Sequence, residues 1–242
     1  MTEFLRIIEE PRTCPYLPDE QASLEYRVLT NLDAATYGDL LSRGYRRFGY
    51  HLYRPACNGC RSCVSLRILI LEFARSRNHR RVLRDNAAIR IERRRPGVTQ
   101  GHIDLFNRYH RYMAQHRGWE TDKITVEAYV ESFVLGGEDF AWEWQFYEGA
   151  NLVGITLMDQ VADAISLVYH YHDPAWRPRS PGVFSILTQL DYARREQLAY
   201  AYPGYCVEAN SSMNYKARFR PHERLVAYPQ DAAQPQWVRA SA

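Results

Sequence analysis

Several features are scarce in this chain, and each scarcity excludes something. No apolar run approaches the roughly 20 residues that a membrane-spanning helix needs, so no span is expected. The opening, MTEFLRIIEE, carries acidic residues and no long apolar stretch, which argues against a secretory signal. The protein is therefore expected in the cytoplasm. The five cysteines, Cys14, Cys57, Cys60, Cys63 and Cys206, form an odd count without a signal, a poor basis for a disulfide scaffold. Lysines are few, Lys123 and Lys216 among them, so most positive charge is carried by arginine. Internal repeats and low-complexity tracts are missing too.

What is present suits a soluble globular protein. Hydrophobic residues make up 46% and charged residues 24%, and 242 residues can build one large domain or two closely packed ones. The net charge is only +3, but it is unevenly spread. Residues 75–95 read RSRNHRRVLRDNAAIRIERRR, with only Asp85 and Glu92 opposing the arginines. A guanidinium grips phosphate through a planar fork, so this cluster suits a polyanion. The plainer reading is a solvated basic face.

The breaker pair Pro96-Gly97 after the basic run marks a boundary. We expect an N-terminal unit over 1–95, a second over 96–230 and a loose tail over 231–242. Ile103, Phe106, Tyr109, His110 and Met113 recur at helical spacing and predict a helix near 100–117. Strands are predicted over Ala141–Tyr147, Leu152–Met158 and Ala164–His172, with short turns between them. A proline-filled loop, DPAWRPRSPG, follows, with Ser180 expected to cap a helix that has Pro181 at its first position. A further strand is predicted over Ala199–Val207. This order fits an α+β fold with a GNAT-like (acetyltransferase-like) mixed sheet.

Four constellations could carry chemistry. Cys57-Asn58-Gly59-Cys60-Arg61-Ser62-Cys63 has two overlapping CxxC spacings, and Cys14 could join as a fourth ligand for zinc or an iron–sulfur cluster. The alternative is a set of packed, reduced thiols. Arg177 and Arg179 precede the predicted helix, where an anion would meet the helix dipole, or they pair with carboxylates. His170 and His172 lie two apart and so share a strand face. Residues 213–221, MNYKARFRP, interleave Lys216, Arg218 and Arg220 with aromatics, a pattern suited to an RNA end or to a plain edge strand.

Taken together, CPYLP (14–18), YRRFGYHLYRPACNGCRSCVSLRI (45–68), SRNHRRVLRDN (76–86), YHYHDP (169–174), SPGVFSILTQL (180–190), PGY (203–205) and MNYKARFRPHERL (213–225) resemble the arginyl-tRNA–protein transferase family. The likeness is to its short bacterial branch, the aspartate/glutamate leucyltransferases. It implies a small N-terminal α/β domain beside the acetyltransferase-like one. It implies an aminoacyl-tRNA donor, an acceptor with N-terminal Asp or Glu, and a product marked for degradation. The eukaryotic branch can hold an iron–sulfur cluster, but here Leu17 stands where its second cysteine would be, and no cofactor is required by the reaction.

The reaction joins an amine to an already activated ester, so positioning can supply much of the acceleration. Tyr169, His170 and Asp173 are the candidates for orienting the amine or relaying its proton. Arg80, Arg81, Arg84, Arg177, Arg179, Lys216 and Arg218 are the candidates for tRNA. Arg46, Arg47, Arg54 and Arg220 are the candidates for the acceptor carboxylate. Leucine is the expected donor, with arginine as the alternative. The rivals in other classes are a non-catalytic RNA-binding module and an acetyl-CoA-dependent acetyltransferase.

Overall fold

A computed structural model describes residues 1–119 and 122–240. The chain opens with β1 (Thr2–Ile8), β2 (Arg12–Thr13), β3 (Gln21–Ala22) and β4 (Leu24–Thr30). Helix α1 (Ala34–Ser42) follows, begun by Asp33, whose carboxylate accepts from the Thr36 amide at 2.8 Å. Then come β5 (Arg46–Phe48), β6 (His51–Pro55) and β7 (Val64–Leu69). Strands β1, β4, β6 and β5 form a four-stranded sheet in that order. Gly49, at φ +55°, makes the tight β5–β6 turn, and a Cβ there would lie 1.9 Å from the Glu131 carbonyl oxygen.

The basic segment folds as α2 (Arg77–Asp85) and β8 (Arg90–Arg94). Ser76 and His79 cap α2 reciprocally, and His79 and Val82 face inward while the arginines face out. Next are α3 (Gln100–Arg117), α4 (Val126–Tyr129) with one π-helical turn over Val130–Val134, β9 (Ala141–Glu148), β10 (Asn151–Gln160) and β11 (Ala164–His172). A 3₁₀ turn, Pro174–Arg179, leads to α5 (Pro181–Arg195) and β12 (Tyr200–Cys206). A second 3₁₀ turn, Asn214–Arg218, precedes β13 (His222–Leu225) and β14 (Trp237–Arg239).

Eight strands form the large mixed sheet, in the order β14-β13-β7-β12-β11-β10-β9-β8. The GNAT-like order appears within it: β9, β10 and β11 run antiparallel, α5 crosses over, and β12 returns parallel to β11. Helix α5 covers one face with α2 against it, and α3 covers the other. Apolar clusters fill both gaps, with Trp144, Phe146, Trp176, Phe184 and Leu187 on the α5 side and Phe106, Tyr129, Phe133 and Tyr171 on the α3 side. A third cluster joins α1 to the large sheet through Tyr37, Leu41, Phe140 and Tyr202.

The expected helix over 100–117 and the strand order are all present. Three details differ. Strands β7 and β8 belong to the large sheet, so Pro96-Gly97 marks the loop after β8 and not a change of sheet. The tail is not loose throughout: Trp237 packs edge-on to Tyr202 at 5.6 Å and draws β14 onto β13. Ser180 lies in the left-handed region, φ +57°, and makes no side-chain cap bond. Asn86 instead anchors the turn before α5, accepting from Trp176 Nε1 at 2.7 Å and donating to the Arg179 carbonyl at 2.8 Å. Among the described residues no helix is long and apolar enough to cross a membrane.

Candidate active site at the fork between two strands

Strands β11 and β12 are paired over only three residues each, ending at Ser166 and Tyr202. Beyond that they part, and a fork opens in the middle of the sheet. Arg46, from β5 of the smaller sheet, sits at its base. It is 6% exposed and donates to the Tyr202 carbonyl at 3.0 Å and to the Leu167 carbonyl, one acceptor from each parting strand. Lys216 approaches the same place and donates to the Tyr205 carbonyl at 2.9 Å. Burial, and then the nearby Arg46 charge, lower its pKa to about 8. Gly204 lies between them at φ +90°, a conformation that favours glycine.

A cleft lined by Leu24, Tyr26, Phe48, His51, Tyr53, Glu131 and Ser132 opens beside the fork. Phe48 meets Tyr169 of β11 edge-on at 6.0 Å, and Tyr53 meets Tyr205 of β12 edge-on at 6.4 Å. Aromatic rings of the smaller sheet therefore touch both arms of the fork.

The proposed catalytic trio is divided by the pleat. Tyr169 faces α3, where its hydroxyl lies 2.9 Å from His110 Nε2. Burial raises the Tyr169 pKa and lowers that of His110 to about 4, so at neutral pH this is a phenol beside a neutral imidazole. His170 faces α5. Its Nδ1 lies 2.8 Å from Thr156 Oγ1, which contacts Ser185 Oγ at 2.7 Å. His170 stacks on His172 at 5.2 Å, as the two-residue spacing predicts. Asp173 caps the 3₁₀ turn through the Ala175 amide and pairs with Arg108 at 2.9 Å. A shared role for these three on one amine is thus not favoured by their placement.

The acceptor-carboxylate candidates also separate. Arg47 is buried and grips Asp159 with two bonds, 3.0 and 2.7 Å, while donating to the Gly49 and Leu135 carbonyls. Arg54 is buried and bonded to Glu25 at 2.7 Å. Arg220 is exposed, away from such enclosure. Only Arg46 is buried with carbonyl partners alone.

Among the tRNA candidates, Arg80, Arg81 and Arg84 lie exposed on α2. Arg177 lies over the Tyr112 ring at 4.8 Å, Arg179 pairs with Glu148 at 2.8 Å, and Arg218 is exposed. Burial first, then Cys57, Cys14 and Cys60, push the Cys63 thiol up to about 12. Yet among the described residues no group of three or more His, Cys, Asp or Glu is placed to hold a metal ion. As placed, the four cysteines do not form such a group.

Two features were not legible in the motifs. His110 and Arg108 are ordinary positions on an amphipathic helix until β11 is laid against it. Glu143 is 1% exposed, with one carboxylate oxygen bonded to His102 and Gln145 at 2.9 and 2.5 Å. Trp142, Trp144 and Phe146 announced one buried face of β9. Nothing announced that the polar face was buried too.

Comparison with known proteins bears on this architecture. Residues 12–81 match the family description "Arginine-tRNA-protein transferase, N terminus", and residues 101–226 match its "C terminus" counterpart. The chain belongs to the arginine-tRNA–protein transferase family. It is 39% identical to an aspartate/glutamate leucyltransferase of Helicobacter hepaticus, over 96% of this chain and 98% of that one. It is 34% identical to a protein of the same name from Pseudomonas fluorescens, over 93% and 97%. The family's acyltransferase chemistry agrees with the GNAT-like sheet. Among solved structures, L-PGS of Bacillus licheniformis aligns with a TM-score of 0.45 and 10% identity, over 71% of this chain and 49% of that one. FemX aligns with the same score and identity, over 76% and 63%.

Proposed function

We propose that this transferase moves leucine from leucyl-tRNA to the N-terminal Asp or Glu of acceptor proteins in the cytoplasm, marking them for degradation. The reading takes its substrates from relatives that cover nearly the whole chain. The observation that carries it in the structure is the aromatic cleft touching both arms of the fork. A leucine side chain needs an apolar wall, and Leu24, Tyr26, Phe48 and Tyr53 supply one. An arginine side chain would need a buried carboxylate kept for it. Among the described residues, buried Asp159 is taken by Arg47 and buried Glu25 by Arg54, Glu143 bonds His102 and Gln145 through one oxygen, and the Glu131 that lines the cleft is exposed.

The acceptor's α-amine attacks the ester carbonyl, a C–N bond forms, and the ester C–O bond breaks. The amine loses a proton and the departing ribose oxygen gains one. The amine has an ordinary pKa near 8, roughly, so a strong base is not essential. Tyr169, held by His110, keeps its proton and suits donation to the developing oxyanion. His170, neutral because burial lowers its pKa to about 4, suits support of β10 and α5 through Thr156 and Ser185. Arg80, Arg81 and Arg84 suit the tRNA body.

The test is competition between leucyl- and arginyl-tRNA for one Asp-initiated peptide. Leucine transfer in large excess is expected. Preferential arginine transfer would overturn the donor assignment, and transfer of neither would overturn the reading.

A further inference from the structure

A buried arginine and a half-buried lysine meet at the fork without a carboxylate between them. A Cβ placed on Gly204 would stand 3.6 Å from Lys216 Nζ and 3.8 Å from both Cζ and Nε of Arg46. One point on β12 is therefore flanked by a guanidinium and an ammonium. Among the described residues neither forms an ion pair, and their contacts are to carbonyl oxygens and the Met213 sulfur. Nearby Cys63 and Cys206 are pushed upward by burial and stay neutral, so they do not balance the charge.

This arrangement is costly. Burying a cation without a counter-ion is unfavourable, and two like charges at this separation repel. Arg47 and Arg54 show how the fold treats a buried arginine elsewhere, with a carboxylate each. The exception lies where the strands part, beside the aromatic cleft. An anion brought from outside would offset both charges at once, and a guanidinium fork beside an ammonium fits the two oxygens of a carboxylate.

We infer that Arg46 and Lys216 bind the side-chain carboxylate of the acceptor's first residue and set the preference for Asp and Glu over Asn and Gln. This rests on the function proposed above. A carboxylate on a short side chain can reach an enclosed point. A phosphate flanked by two riboses suits the open arginines of α2 better. The neutral amides of Asn and Gln have the right shape but cannot offset the charge, so discrimination comes from the pair of cations.

The experiment measures transfer from leucyl-tRNA to four peptides differing only in a first residue of Asp, Asn, Glu or Gln. The wild type is compared with Lys216→Met and Arg46→Lys, with thermal unfolding checked for both. Arg46 also ties the two arms together, so Lys216→Met is the deciding variant should Arg46→Lys fail to fold. In Lys216→Met, kcat/KM for the Asp and Glu peptides should fall about 10- to 100-fold, mainly through KM. The values for Asn and Gln peptides and the KM for leucyl-tRNA should hold. Equal losses on Asp and Asn peptides would overturn the inference in favour of a structural role. A raised KM for leucyl-tRNA with the Asp-to-Asn ratio intact would overturn it in favour of a tRNA phosphate. A wild type that transfers leucine to none of the peptides would instead overturn the function itself.

Discussion

Arg47 and Arg54 are buried and each is held by a carboxylate. On α2, Arg80 donates to the Arg75 carbonyl, Arg81 to Asn78 Oδ1, and Arg84 lies 3.9 Å from Asp85, all in solvent. The same residue type serves two purposes. In the interior the fold must supply the counter-charge before anything binds, because water cannot. On the rim water and salt already screen the charge, so the arginines stay available to a polyanion. Arg46 breaks this division, being interior by burial and uncompensated like the rim.

The contrast can be broken most forcefully at Arg47. Arg47→Met leaves Asp159 buried and unpaired, and should cost about 3–5 kcal/mol. Adding Asp159→Leu removes the orphaned charge and should recover much of that loss. Urea unfolding of the single and double variants checks this. Equal destabilisation in both would mean that lost volume and carbonyl bonds matter more than the pair.

The rim gives the opposite signature. Charge reversal of Arg80, Arg81 and Arg84 to Glu should shift stability by less than about 0.5 kcal/mol. It should weaken tRNA binding about 10- to 100-fold at low salt and flatten the salt dependence by roughly 2–3 in log–log slope. Filter binding across salt concentrations measures both. An unchanged slope would remove α2 from the tRNA surface. Arg47→Met, should it stay folded, is expected to leave that slope alone.

How much of this could be read beforehand follows from the same physics. Helix α3 and strands β9 to β12 were legible because apolar periodicity reports a face turned to a core. The basic segment was legible as charge. The roles of Arg46, Arg47 and Arg54 were not, because the three look alike in sequence. What separates them is Asp159 for Arg47 and Glu25 for Arg54, both distant in sequence. The inward face of β4 carries Glu25, Arg27 and Leu29, so alternation of polarity fails to mark it as buried. Ser180 had a cap's identity, but Asn86 took over the task of holding the preceding turn. Tyr169 and His170 looked like one motif because they are adjacent, and adjacency on a strand puts them on opposite faces.

Acidity offers a smaller and sharper test, since it touches the interior and leaves the rim charged. His172 is 7% exposed and neither ring nitrogen has a hydrogen-bond partner among the described residues. It is faced by His170 from its own strand, Tyr109 from α3, and Trp176 and Arg177 from the 3₁₀ turn. Burial first, then the charges of His170 and Arg177, lower its pKa to about 2. In the unfolded chain the value is near 6.5, so between these limits the unfolded state binds a proton that the folded state refuses. Stability therefore falls as pH drops below about 6.5, by at most about 1.4 kcal/mol per pH unit for this one residue. His110 and His170, both near 4, add to the slope in the same direction. His172→Phe keeps a ring between Tyr109 and Trp176 and cannot take up the proton. Its urea midpoint should match or exceed the wild type at pH 7.5, and its advantage should grow toward pH 5. Parallel pH profiles for the two proteins would show that His172 is protonated in the folded state after all, and that the interior at this point is open enough to solvate a charge.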